Sequence, residues 1–89
     1  MEPEIIEQRR YTASMVQFGY AFSLFFNNHG DILMKWRDHE PLSAVETQTF
    51  LNYLTYVWNI FKKPNDPVPD NMTIADMLNM MLDHGIDPL

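Results

Sequence analysis

The sequence predicts an all-α fold: a small bundle of three substantial helices and one short one. Three observations carry this. The stretch Tyr11–Phe26 holds no charged residue and is apolar on two faces when wound as a helix. Phe50–Phe61 repeats its apolar residues at helical spacing. Both stretches are bounded by residues that start or stop helices. Eleven of the twelve aromatic residues lie in these two stretches, which are therefore the expected core-forming pair; Trp36 lies between them. With 89 residues the chain is read as one domain (1–89), and 46% apolar residues supply a core rich enough for that size.

Helix 1 is expected over about 3–28. Pro3 suits a first turn, and Glu2, Glu4 and Glu7 suit its dipole. Ile5 and Ile6 are the first apolar contacts, and Arg9 and Arg10 stay wet. Tyr11, Met15, Phe18, Phe22 and Phe25 form one stripe, and Ala13, Val16, Tyr20 and Leu24 a second on the far side. A helix apolar on two sides needs cover on both. Gly19 costs about 1 kcal/mol relative to Ala in mid-helix, which close approach of another helix would explain. Gly30, after Asn27-Asn28-His29, is the expected left-handed stop.

Asp31 is the expected cap of a short helix 2, about 32–39, with Ile32, Leu33 and Trp36 inward and Lys35, Arg37 and Asp38 outward. Pro41 ends it. Helix 3 spans about 44–63. Ser43-Ala44-Val45-Glu46 has the spacing of a capping box. Phe50, Leu51, Tyr53, Leu54, Val57, Trp58, Ile60 and Phe61 project onto about half the circumference. Lys62 and Lys63 suit the negative end. Residues 64–71 hold three prolines and form an extended, polyproline-like connector.

Helix 4, about 73–84, starts at Asn71 or Thr73 and presents Ile74, Met77, Leu78, Met81 and Leu82 as a stripe. His84-Gly85-Ile86 reads as a Schellman ending, with Ile86 packing back on Met81. Helices 1 and 3 form a hairpin bridged by helix 2, and helix 4 returns across it. Helix 4 can cover the second face of helix 1; if it packs elsewhere, that face is exposed and marks an interface.

Composition limits function. The net charge of −6 is concentrated: residues 64–89 hold Asp66, Asp70, Asp76, Asp83 and Asp87 and no basic residue. Such a surface repels phosphate backbones, so direct nucleic-acid binding is not expected. With no cysteine there are no disulfides, thiolate metal sites or cysteine nucleophiles. Acidic residues occupy the place of a signal peptide's basic region, so a cytoplasmic location is expected. Tyr11–Gly30 is charge-free over twenty residues, but seven polar residues interrupt it and a bilayer span is not expected.

Each of His29, His39 and His84 sits at an expected helix end, where imidazolium suits the carbonyls; no pair has metal-ligand spacing on one helix, and no metal or cofactor is expected. Ser14, Ser23 and Ser43 lack nucleophile-elbow glycines, and Asp38 and Glu40 point apart on a helix.

The suggestive feature is Gln48–Asn52–Thr55–Asn59, a line on helix 3 that carries no charge. Uncharged hydrogen-bonding groups cost less to desolvate than charges, so the line is a candidate contact with another chain. Met72 and Met80 fall off the helix 4 stripe and join it as candidates, as do Asp76 and Asp83. The function expected is a small acidic non-enzymatic protein–protein interaction module, an adaptor or inhibitor, whose partner is another protein or a second copy. The alternatives are an acidic nucleic-acid mimic that blocks a basic groove, and a membrane-associated helical module.

Overall fold

The computed structural model describes the backbone of residues 3–89 and the side chains of residues 13–89. It is all-α, with three helices: α1 (Pro3–Arg37), α2 (Ala44–Phe61) and α3 (Ile74–Asp83). The side-chain expectations for Ile5, Ile6, Arg9, Arg10 and Tyr11 lie outside the described residues.

The expected helices 1 and 2 are one element. A helix of 35 residues is about 52 Å long, and α1 sets the longest dimension of the molecule, 50 Å against 26 Å and 18 Å across. The backbone departs from helical values at His29 (φ −138°, ψ 31°), so α1 is two helical stretches joined across a kink, and the kink falls inside the Asn27–Gly30 stretch where helix 1 was expected to stop. Gly30 is not left-handed and Asp31 caps nothing, contrary to expectation. The bend lets both arms lie against α2. Phe25 stacks on Tyr53 at 4.3 Å between ring centroids, and beyond the bend Trp36 meets Phe50 edge-on at 5.8 Å. Ile32 is buried.

The left-handed stop falls nine residues later, at His39 (φ 58°). His39 N–H donates to Trp36 O and Glu40 N–H to Lys35 O at 2.8 Å. These are the two bonds of a Schellman motif, with histidine where glycine is usual. Lys35, expected to face solvent, instead pairs with Glu46 at 2.8 Å and ties the end of α1 to the start of α2.

The capping box of α2 is present in both directions. Glu46 N–H donates to Ser43 Oγ and Ser43 N–H to Glu46 Oε1, each at 3.1 Å. Phe50, Leu54, Val57 and Trp58 are fully enclosed. Burying a side chain of this kind contributes about 1.5–3 kcal/mol, and among the described residues α2 supplies half of the buried apolar core. Both neighbours pack on it: α1 on one side and α3 on the other. Among the described residues α1 and α3 make no packing contact. Of the two placements open to helix 4, it takes the one that leaves the second face of helix 1 exposed. A ten-residue helix offers one narrow contact line, and that line is spent on α2.

The start of α3 is a second capping box, Thr73 with Asp76. Ile74, Met77 and Met81 are buried, but Leu82, expected in the stripe, is 56% exposed at its edge. The connector is pinned at its middle, where Trp58 Nε1–H donates to Pro67 O at 2.9 Å. It is not extended throughout: Lys63 and Asp66 exchange two hydrogen bonds in a turn at its start.

After α3 the chain ends in the expected Schellman geometry. Gly85 has φ 76° and Ile86 N–H donates to Met81 O at 2.8 Å. The tail then turns back over α2. Pro88 is buried, and its carbonyl accepts the Tyr53 hydroxyl hydrogen at 2.9 Å. Leu89 reaches the groove at the bend of α1, beside Phe22 and Trp36. This tail, rather than α3, brings the C-terminal segment against α1.

Candidate interaction surface

From residue 13 to residue 28 the buried arc of α1 is centred on Phe25 and flanked by Phe18, Phe22 and Ala21. Successive residues advance 100°, so Ala13, Val16, Tyr20 and Ser23 fall opposite that arc. All four are exposed, Val16 by 70% and Tyr20 by 68%. Leu24 lies at one edge of this face; Met15, read as inward, lies at the other and is 42% exposed. No charged residue occurs between Ala13 and Asn28. Gly19 lies on the exposed side, where an added Cβ would meet nothing within 4 Å. The close helix approach expected at Gly19 does not occur within the chain.

The face continues across a groove onto α2. The groove holds about 360 Å³, with Tyr20, Leu24 and Asn28 on one wall and Asn52 and Tyr56 on the other. Gln17 Nε2–H donates to the Tyr56 hydroxyl at 3.1 Å and bridges the two helices at its rim. Every group named here is uncharged. Sequence reasoning missed Gln17 and Tyr56. Tyr56 stands about 80° from Gln48 around the helix, between the apolar half and the polar line, and belongs to neither pattern.

The line Gln48–Asn52–Thr55–Asn59 forms the outward ridge of α2. Gln48, Asn52 and Asn59 are exposed and Thr55 is half-buried. Gln48 Nε2–H donates to Asn52 Oδ1 at 2.8 Å, so part of the ridge is paired with itself. The ridge divides two grooves. Asn52 borders the groove toward α1, whereas Gln48 and Thr55 border one toward the connector, with Asp70 and Met72. The line is therefore split between two surfaces.

The remaining candidates scatter. Met72 and Met80 are half-buried against the core, which makes them packing residues rather than a free methionine surface. Asp76 accepts the Thr73 N–H as a cap, and Asp83 is exposed. Of the other acids, Asp66 accepts the Lys63 N–H and Asp87 the Leu89 N–H. Three of the five acids thus make local backbone bonds, each through one carboxylate oxygen.

A third groove, about 510 Å³, lies between α1 and the end of α3, floored by Phe18, Phe61 and Ile86 and rimmed by Lys63, Asp66 and His84. His84 Nδ1 lies 2.8 Å from Met80 O, so the ring carries its hydrogen there. Its Nε2 is 3.9 Å from Asp66 Oδ1, and its ring stands edge-on to Trp58. Among the described residues no serine, threonine or cysteine lines this groove, and none offers the His84–Asp66 pair a hydroxyl or thiol to activate there. Among the described residues no three His, Cys, Asp or Glu side chains come close enough to hold a metal, and no helix is long and apolar enough to cross a membrane.

Two environments shift titration. The Lys35 hydrogen bond, followed by the Ser43 backbone, holds the Glu46 carboxyl below its ordinary 4.5, and the same bond raises Lys35 above 10.5. Burial pushes the Tyr53 phenol well above the ordinary tyrosine range, so it stays a hydrogen-bond donor. No protein-family model, curated protein sequence or solved structure matches the chain.

Proposed function

We propose that this protein is a non-enzymatic protein–protein interaction module whose working surface is the uncharged face of α1 with the adjoining wall of α2. The observation that supports this reading most is that, among the described residues, α3 packs on α2 and not on α1, which leaves Val16, Tyr20 and Leu24 outside the core. A contiguous apolar patch on a small chain marks a place where another molecule binds. The patch has the mixed character of an interface: aliphatic and tyrosine side chains at the centre and amide groups at the edge. The acidic-mimic reading is weaker, because three of the five C-terminal acids are engaged with backbone amides.

The test is site-specific photocrosslinking in cells, with benzoylphenylalanine replacing Val16 and, as a control, exposed Ala75 on α3. Protein adducts of any size formed from position 16 and not from position 75 support the reading. Equal yields, or none from position 16, would dispose of it.

A further inference from the structure

We infer that the occupant of the α1 face is a second copy of this chain, in a two-fold dimer whose α1 helices cross at Val16, Gly19, Tyr20 and Ser23. This deepens the interaction reading and rests on it. Three independent observations support it.

The first is shape. The α1 backbone runs along the longest dimension of the molecule, 50 Å against 26 Å and 18 Å, and a second copy laid along it gives a more compact particle.

The second is charge. Two copies each carrying −6 repel, and they can approach closely only through a surface that adds no like charges. The exposed arc of α1 between Ala13 and Asn28 is such a surface, and the C-terminal region, with five acids and no base, is not. A two-fold interface must be complementary to itself. A face of aliphatic, hydroxyl and amide groups meets that condition, since each of its polar groups can serve as donor or acceptor to its own copy.

The third is Gly19. In mid-helix it lowers helix stability, and nothing in its own chain approaches it. Gly19 and Ser23 lie one turn apart on the open side of α1, between Val16 and Tyr20 and the rim at Phe26. They form a shallow saddle with bulky shoulders, into which the Val16 or Tyr20 of a second α1 fits. An interhelical distance of about 8–10 Å depends on the side chains at the crossing, and small residues give its lower end.

Sedimentation equilibrium of the purified full chain from 1 to 200 µM tests this, with Tyr20→Lys, Val16→Lys and the control Ala75→Lys run alongside. Both test positions are exposed within the monomer, so the variants keep the native far-UV circular dichroism. The expected result is a native dimer with a Kd in the micromolar range or below. Tyr20→Lys or Val16→Lys raises that Kd at least tenfold, and Ala75→Lys changes it less than twofold. A native chain that is monomeric throughout, or a dimer indifferent to both lysines on α1, overturns the inference. A monomeric chain that still crosslinks foreign proteins from position 16 would overturn the second-copy assignment and leave the interaction reading standing. A monomer with no crosslinks would end both.

Discussion

The hydroxyl of Tyr53, at the middle of α2, donates to the carbonyl oxygen of Pro88, thirty-five residues on and one residue from the end of the chain. Both partners are buried, and the bond is the link that holds the tail over the core. Removing one partner of a buried bond strands the other, at a cost of about 1–3 kcal/mol. Tyr53→Phe keeps the ring stacked on Phe25 and deletes only the hydroxyl. The expected outcome is a loss in that range in chemical denaturation, with faster amide exchange at Ile86 and Leu89. Unchanged exchange in the tail would show that the bond does not hold it.

Glu46 uses one carboxylate oxygen for the Ser43 cap and the other for Lys35. Its folded carboxyl titrates below 4.5, so its contribution is present above that value and is lost as the pH falls through the folded pKa. Lys35 titrates above 10.5 when folded, so its part persists up to 10.5 and is lost as the pH rises further. Glu46→Gln can keep the cap but not the charge. The Tm gap between native protein and Glu46→Gln is expected to be constant from pH 6 to 8 and to close as the pH falls below 4.5. A gap that stays constant down to pH 2.5 would mean that the pair contributes nothing.

His39 occupies the left-handed position of the α1 ending, where an L-residue costs about 1–2 kcal/mol relative to its usual conformations. His39 is exposed, so little packing is lost on replacement. His39→Gly is expected to raise stability by about 1 kcal/mol, read as a higher denaturation midpoint at unchanged slope. A lower midpoint would contradict the backbone assignment.

Gly19→Ala separates the monomer from the dimer. Within one chain the added methyl meets nothing, and helix propensity alone should stabilise the monomer by about 1 kcal/mol. Across the proposed crossing the same methyl pushes two helices apart. Thermal melts at low concentration should therefore show a gain, while the dimer Kd rises. A gain in both would place the crossing elsewhere on α1.

Local signals were legible and distant ones were not. The Ser43–Glu46 box and the left-handed Gly85 are encoded within four residues and stand where the sequence puts them. The break at Asn27–Gly30 was legible in place but not in form: the chain kinks at His29 instead of stopping at a left-handed Gly30, and Ile32 and Trp36 carry the helix on to reach Phe50. The destination of α3 was not legible, since both of its possible partners are apolar and only the three-dimensional course of the connector chooses between them. The uncharged far face of α1 was visible as a second apolar stripe. Its partner wall at Tyr56 was not, because the wall exists only once α1 and α2 lie side by side.

Among the described residues each helix packs on its neighbour in the chain, and that has a kinetic consequence. Contacts between adjacent helices close short loops, so the three helices are expected to assemble in microseconds to milliseconds. The tail closes over the core only after α2 and α3 are docked, because its anchor on Tyr53 spans most of the C-terminal half of the sequence. Collapse and final locking are then separate events: the helices arrive first, and the last six residues set the latch.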